Sequence, residues 1–212
     1  MGVLLPLLNI LMGDLHYYPV YRAAVDHGLP VIVHPAGPEA VYYGAPTVAG
    51  GVPATFIERQ AALPQIAQAN ICSLVMNGVF ERFPDLKVVF AGYGFAWLGA
   101  LVWRMDMDWR RLRRETPWVR RPPSAYVADH VRLTLQPMEE APPAQFQTLL
   151  EMVDAERTLM FSSDYPHWDG VDQAKLASRF PPALRSAVLR DQAVATFGPR
   201  LRLPAPVRVV HA

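Results

Sequence analysis

The chain has 212 residues, of which 51% are hydrophobic and 18% are charged, and its formal net charge is +1. This size and composition predict one globular domain with a substantial core. A charge so close to zero excludes a global field that would recruit nucleic acid or an anionic membrane. The single cysteine, Cys72, excludes an intrachain disulfide and is typical of a reducing compartment.

Short apolar runs alternate with helical patterns along the chain, which predicts βα units around a parallel sheet. The predicted strands cover residues 2–5, 30–33, 86–90, 131–135 and 158–161. Helices are predicted over residues 19–27, 54–83, 95–114, 122–130, 144–153 and 183–197, with a kink at Pro64. The pattern indicates a single domain over residues 1–200, followed by a tail over residues 201–212.

Two further segments bear on location and on function. The apolar segment 1–15 has neither the basic region nor the small-residue cleavage site of a signal peptide, and a bilayer span takes about 20 residues. It predicts a strand that begins almost at Met1, and together with the lone cysteine it favours a cytoplasmic protein. The glycine- and proline-rich segment 35–53 is long enough to indicate an active-site loop.

Two of the predicted strands end in residues that bind metals. His34 follows the second strand, and Asp164 follows the fifth strand after two serines. The carboxyl ends of parallel strands carry the chemistry of α/β folds, so this pair indicates two ligands of a metal site. The residues by themselves leave two other interpretations open. His34 could be a core histidine bonded to the backbone, and Asp164 could be a helix N-cap.

The spacing of these two strand ends favours a barrel over an open sheet. Two other strands separate them, and a barrel brings such ends round one mouth, whereas an open sheet spreads them along an edge. A complete (β/α)8 barrel takes about 250 residues. Five βα units in this chain therefore predict a partial or distorted TIM-type barrel that lacks about three units.

Six motifs occur in a characteristic order over nearly the whole chain. They cover residues 2–6, 18–24, 30–35, 83–90, Trp97 with 103–106, and 161–167, of which the last, Phe161-Ser162-Ser163-Asp164-Tyr165-Pro166-His167, is the most specific. This set resembles the amidohydrolase-related group of the metal-dependent hydrolase superfamily. That group contains the aminocarboxymuconate-semialdehyde decarboxylase-like enzymes and related lactonases.

The resemblance implies a distorted barrel that holds a divalent metal, with zinc expected first and manganese as the alternative. It implies that His34 is a metal ligand at the end of barrel strand five. It also implies that Asp164, at the end of strand eight, binds the metal and handles the proton of its water. Tyr93 and His167 are lesser candidates, for substrate-binding positions. The implied reaction is hydrolysis or non-oxidative decarboxylation of a small carboxylated or cyclic substrate by metal-activated water.

Two departures from the family pattern count against a complete site. The six histidines include no His-x-His or acid-x-His pair of the kind that the family's first strand supplies. The resemblance thus implies an N-terminally truncated barrel that corresponds to strands four to eight. In addition, Gly92 stands where relatives carry His or Glu after strand six.

These departures leave a second function open, a catalytically incomplete fragment or pseudoenzyme that acts as an assembly subunit and holds no metal. A start codon assigned too late is a third explanation of the missing strands. The expected partners are a small-molecule substrate and, at the open edge formed by residues 3–5, either a second copy or a chain that supplies the missing strands. Neither nucleic acid nor a membrane is expected.

Two further patterns have plain structural interpretations. The Arg-rich segment 109–115 interleaves aromatic and basic residues, but its neighbouring acids favour a solvated helix face over a nucleic-acid site. Trp97 and Trp103 are spaced for helix packing and are predicted to lie in the core.

Overall fold

The computed structural model describes residues 1–35, 51, 53–139, 141–167, 170 and 173–198. The strands are β1 (Val3–Leu5), β2 (Val31–Val33), β3 (Val88–Phe90), β4 (Val131–Thr134) and β5 (Leu159–Met160). The helices are α1 (Tyr18–Asp26), α2 (Phe56–Ala62), α3 (Pro64–Met76), α4 (Val79–Arg82), α5 (Leu98–Arg111), α6 (Pro123–His130), α7 (Pro143–Met152), α8 (Ala155–Thr158), α9 (Gln173–Arg179), α10 (Pro182–Ser186) and α11 (Gln192–Phe197). A 3-10 turn at Leu15–Tyr17 precedes α1, and a π-helical segment at Ala187–Asp191 joins α10 to α11.

The five strands form one parallel sheet in the order β1-β2-β3-β4-β5. Leu5 lies beside Val33, Val33 beside Phe90, and Phe90 beside Leu133. All four side chains are buried in the core that also contains the buried faces of the helices. Continuous apolar runs rich in β-branched residues suit strands that helices cover, so the predicted α/β class and all five predicted strands are confirmed.

A second row of side chains crosses the sheet on the opposite face, because successive residues of a strand point to opposite sides. Leu4, Ile32, Val89 and Arg132 are neighbours in this row. The exposed fraction falls from 68% at Leu4 to 1% at Val89 and 8% at Arg132. The β1 side of the sheet is therefore open, and the β4 side is covered.

The prediction of one long helix over residues 54–83 is wrong, because three helices occupy this region. Pro64 begins α3 instead of kinking a longer helix, as proline suits a first helical turn whose N–H groups need no intrahelical partner. Gly78 separates α3 from α4 with φ of 71°. A Cβ atom there would lie 2.6 Å from Trp118, so the position requires glycine on both grounds.

Two short helices were not predicted. Helix α8 begins after Asp154, which has φ of 53°, and it shortens the predicted strand 158–161 to Leu159–Met160. Helix α9 occupies residues that carry no clear apolar period. One-turn and two-turn helices offer too few residues for a 3.6-residue pattern to emerge. The predicted tail 201–212 and most of the predicted loop 35–53 lie outside the described residues.

The surroundings of α5 test three predictions, which concern Trp103, Trp97 and the Arg-rich segment. Trp103 is 58% exposed, so its predicted core position is wrong; the buried stripe of α5 is formed by Leu98, Val102 and Met105. Trp97 does pack against the core, as predicted. Of the Arg-rich segment 109–115, residues 110–115 are exposed as predicted, whereas Trp109 packs against the core and α5 ends at Arg111. Within the described ranges, no helix is long and apolar enough to cross a bilayer.

Candidate metal centre at the carboxyl ends of the strands

His34 directly follows β2 at the carboxyl edge of the sheet. Val31 and Val33 are fully buried and anchor the strand, whereas the His34 side chain is exposed. A Cβ atom built on Gly92 would lie 3.5 Å from Nε2 of His34. The imidazole therefore projects over the loop that follows β3 and is not enclosed among core residues, which removes the core interpretation of this histidine.

Gly92 has a backbone conformation that suits glycine. Its φ is 87°, and a Cβ atom there would come within 3.1 Å of Cδ of Pro35. Its N–H donates a hydrogen bond to Oγ1 of Thr134 at 3.2 Å, which joins the carboxyl ends of β3 and β4. A His or Glu side chain at this position would require both a strained φ and movement of Pro35. The local backbone and the contact with Pro35 thus favour glycine at position 92, where the family pattern has His or Glu.

Tyr93 is a core residue. It is 1% exposed, its ring packs edge-to-face against Phe90 at 5.9 Å, and its backbone oxygen accepts a hydrogen bond from Nε1 of Trp97. Burial raises the pKa of the Tyr93 hydroxyl above its ordinary value, so the phenol is neutral at physiological pH. The hydroxyl is buried, with no hydrogen-bond partner among the described residues. The substrate-binding role of Tyr93 stays a prediction.

Glu139 orders the same loop, and sequence reasoning missed it. Its Oε1 accepts hydrogen bonds from the backbone N–H groups of Phe95 at 3.0 Å and Ala96 at 3.1 Å. Gly94, with φ of 66°, lies so close that a Cβ atom would be 2.6 Å from Oε1. The sequence did offer a signal for this contact: Glu139 is an acid soon after β4, and Gly92 and Gly94 follow the neighbouring strand β3. Glu139 holds the loop that lies beside His34.

Asp164 follows β5 and is partly buried. Its φ is 56°, a conformation that is uncommon for a residue other than glycine and that costs about 1 kcal/mol or more. Its backbone oxygen accepts a hydrogen bond from the N–H of His167 at 2.8 Å. No helix begins within residues 164–167, so the N-cap interpretation finds no support there. Strained φ values of this kind occur preferentially at functional sites.

The surroundings of Asp164 connect it to the neighbouring strand. Oγ of Ser162 accepts a hydrogen bond from the N–H of Gln136 at 3.1 Å, and this bond ties the end of β5 to the end of β4. His167 is exposed and lies in the same turn as Asp164. The substrate-binding role of His167 stays a prediction.

His34 and Asp164 are the two candidate metal ligands, and they do not complete a site by themselves. The imidazole nitrogen of His34 and the carboxylate of Asp164 are suitable ligands for zinc or manganese. His34 follows β2 directly and Asp164 lies four residues beyond β5, and these two strands are three strand spacings of about 4.8 Å each apart along the sheet. A catalytic zinc takes three protein ligands. In the part of the chain that the structure describes, no three His, Cys, Asp or Glu residues are arranged so that they could hold a metal ion together.

Comparison with known proteins identifies the class. The amidohydrolase family model matches residues 6–198, and the chain belongs to this family. The match confirms the resemblance recognised from the six motifs. It also spans both candidate ligands, His34 and Asp164.

Solved structures of other proteins show the same architecture. An amidohydrolase from Mycobacterium avium subsp. paratuberculosis K-10 aligns with a TM-score of 0.70 and 21% identity over 92% of this chain and 51% of that one. The 5-carboxyvanillate decarboxylase of Sphingomonas paucimobilis aligns with a TM-score of 0.69 and 20% identity over 92% and 58%. A dihydroxybenzoic acid decarboxylase from Polaromonas sp. JS666, with bound manganese and the inhibitor 2-nitroresorcinol, aligns with a TM-score of 0.61 and 19% identity over 89% and 55%.

At these identities the likeness shows the fold alone. The chain spans about half the length of each of these proteins. The five-stranded parallel sheet is thus a partial barrel, as predicted.

Proposed function

We propose that this chain provides part of a metal-dependent amidohydrolase site. The site would act through metal-activated water on a small carboxylated or cyclic substrate, by hydrolysis or by non-oxidative decarboxylation. His34 and Asp164 would hold a divalent cation, zinc or manganese. The predicted cytoplasmic location belongs to the same proposal. So does the expected partner at the open β1 edge, either a second copy or a chain that supplies the missing strands.

The observation that carries the proposal is the exposed imidazole of His34 at the carboxyl edge of the sheet. Asp164 follows β5 at the same edge. Both lie within the family match, and two of the similar structures are decarboxylases. A bound divalent cation lowers the pKa of a water ligand toward neutrality.

Each residue has a task that its surroundings support. His34 is anchored by a buried strand and presents its nitrogen beyond the end of that strand. Asp164 lies at the same edge with φ of 56°, and its carboxylate would accept a proton from a metal-bound water. Glu139 orders the loop beside His34 through two backbone hydrogen bonds.

A specific observation favours a second candidate function, an assembly subunit without catalysis. Among the described residues, no three potential ligands are arranged so that they could hold a metal ion, and Gly92, which stands where relatives carry His or Glu, has a conformation that suits glycine. On this alternative, the two ligand positions are inherited and unused.

Metal content per chain separates the two candidates. Elemental mass spectrometry after gel filtration without chelator should find close to one zinc or manganese in the wild type, and much less in His34→Ala and Asp164→Asn. Any metal-dependent turnover should be lost in the same variants. The exposed residues His27 and Asp26 offer matched controls, so His27→Ala and Asp26→Asn should retain the metal. A metal-free wild type would favour the assembly subunit, and unchanged metal in both site variants would exclude their ligand roles.

A further inference from the structure

The positive charge of this chain is concentrated in one short segment. Residues 109–121, which form the C-terminal end of α5 and the turn after it, contain six arginines and one acid, so this basic segment carries a charge of +5. The whole chain has 20 basic and 19 acidic residues, so the remainder carries a charge of −4. The basic segment is therefore a positive surface on a chain that is otherwise slightly negative.

Buried contacts hold the basic segment in one conformation. Nε1 of Trp109 donates a hydrogen bond to the backbone oxygen of Val119 at 2.9 Å, and Val119 is fully buried. Nε1 of Trp118 donates to the backbone oxygen of Met76 in α3 at 2.8 Å. A surface whose backbone is already fixed loses less conformational entropy when it binds a partner.

Four arginines of this segment are available to another molecule. They are exposed, and none of them forms an ion pair among the described residues: Arg110, Arg111, Arg113 and Arg114. The dipole of α5 favours cations in its last turn, but this accounts only for Arg110 and Arg111. A guanidinium group with no acid beside it fits a carboxylate of another molecule, because its fork of N–H groups can bind both oxygens.

An apolar groove lies beside the same helix. Its volume is about 340 Å³, and its lining includes Leu98 and Val102 of α5 and Val127 of α6, none of which is more than 8% exposed. Trp103 also lines the groove and is 58% exposed, so a large apolar ring faces water there. Pro122, which directly follows the basic segment, is a further lining residue. The groove and the basic segment therefore adjoin each other.

Charge and aromatic contacts distinguish between the kinds of partner. Two-fold pairing through this surface would bring two positive segments together, which opposes a second copy of the chain. Single-stranded nucleic acid stacks its bases on aromatic rings. In the basic segment, however, Arg113 covers the Trp109 ring at 4.4 Å, and the Trp118 ring lies against Gly78. Carboxylates need no such ring and suit the free arginines.

From the groove and the adjoining arginines we infer that this surface docks an acidic segment of another protein, with a large apolar side chain in the groove and carboxylates on the arginines. Trp103 and Arg110 lie on the same face of α5, about 10 Å apart along its axis. An extended segment covers this distance in about three residues. Docking requires neither metal nor substrate, so it stands independently of the proposed function.

The affinity of the 212-residue chain for a synthetic peptide tests this inference. The probe carries one phenylalanine, a short spacer and a run of glutamates, and fluorescence anisotropy measures its binding at low ionic strength. Serine in place of the phenylalanine, or glutamine in place of the glutamates, should each weaken binding about tenfold. Equal binding of the peptide without phenylalanine would overturn the inference, because any polyanion would then suffice. A probe that does not bind would also overturn it.

Variants of the protein locate the surface. The double variant Arg111→Gln, Arg114→Gln and the single variant Trp103→Ser should each bind the probe about tenfold more weakly, and salt should reduce the effect of the arginines. Arg22→Gln with Arg190→Gln is the matched control, because both arginines are exposed outside α5, and it should bind as the wild type does. Circular dichroism should be unchanged throughout, since every altered side chain is exposed. Site variants that bind the probe as tightly as the wild type would contradict the inference.

The other two partners give different results. A single-stranded RNA with the charge of the peptide should bind more weakly than the peptide does, and tighter binding that Trp103→Ser abolishes would assign the surface to nucleic acid. Light scattering tests for a second copy. A wild type that is dimeric and becomes monomeric in Trp103→Ser would assign the surface to self-association. Either result would overturn the inference.

Discussion

The two edges of the sheet differ in what lies beside them. Beyond β5, a π-helical segment accepts the outward hydrogen bond of Phe161 and buries Val188. Beyond β1, the described residues provide no partner, and Leu4 is 68% exposed. Both outer strands are short apolar strands of the same parallel sheet, so their sequences alone do not explain why one is covered and the other exposed. A helix that follows β5 along the chain folds back on it, so local connectivity covers this edge.

The largest expected effect comes from breaking the covered edge. Val188→Asp places a carboxylate in a fully buried position and should lower the free energy of unfolding by about 4 kcal/mol, because an unpaired buried charge is costly. Urea unfolding, monitored by circular dichroism at a concentration where the chain is monomeric, measures the loss. Leu4→Asp, at the open edge, should change the same quantity by about 0.5 kcal/mol or less. Equal losses in the two variants would show that the edges do not differ.

A smaller effect should follow from removing the Gln192 side chain. Gln192→Ala deprives Nε of Arg132, a residue 8% exposed, of its acceptor and should cost about 2 kcal/mol of unfolding free energy. Gln147→Ala is the matched control, because Gln147 bonds Glu151 on an exposed helix face, and it should be nearly neutral. If both variants unfold at the same urea concentration, then Gln192 does not help to hold the C-terminal helix on the sheet.

A buried titratable group lies at the end of α6, directly before β4. His130 is 4% exposed, stacks on Phe80 and has Nδ1 2.9 Å from the carbonyl oxygen of Leu86. Burial lowers the pKa of His130 below its ordinary value of 6.5. Lys87 and Arg121 act in the same direction, whereas the Leu86 carbonyl and Asp129 oppose the shift.

The sign of the pH dependence follows from that lowered pKa. As the pH falls below about 6.5, the unfolded chain takes up a proton that the folded chain resists, so stability should decline toward the folded-state pKa and stay level above this window. Urea midpoints across a pH series measure this, and His130→Gln should flatten the profile in the window. His27→Ala, at an exposed helix end, should leave the profile as it is. An unchanged profile in His130→Gln would assign the pH dependence to another group.

The smallest expected difference in stability is between alanine variants of two glycines that lie in different loops. Gly28 and Gly92 both have positive φ, 58° and 87°, but a Cβ atom at Gly28 meets nothing within 4 Å, whereas at Gly92 it meets Pro35 at 3.1 Å. Gly28→Ala should cost about 1 kcal/mol through backbone strain alone. Gly92→Ala should cost slightly more, since Pro35 must also move. Thermal unfolding of the two variants gives the difference, and a Gly92→Ala variant as stable as Gly28→Ala would mean that Pro35 yields freely.

The sequence by itself determined the five strands, their parallel arrangement, the family and the partial barrel. Apolar β-branched runs bounded by Gly and Pro are local signals, and parallel strands that helices cover require them. The candidate ligands His34 and Asp164 were found in the same way, because His34 directly follows such a run and Asp164 follows one after two serines. Their ligand roles stay predictions. Pro64 was identified as a point of change, but a local pattern does not distinguish a kink from a boundary.

Only the tertiary structure decided what lies beside each element. The outward position of Trp103, the loop contacts of Glu139 and the close approach of Pro35 to Gly92 join residues that are distant in sequence, and no periodicity encodes such contacts. The same holds for the two edges, because the sequence of β1 predicts a strand whether or not a partner lies beyond it. The cover over β5 follows from which segment folds back onto the sheet.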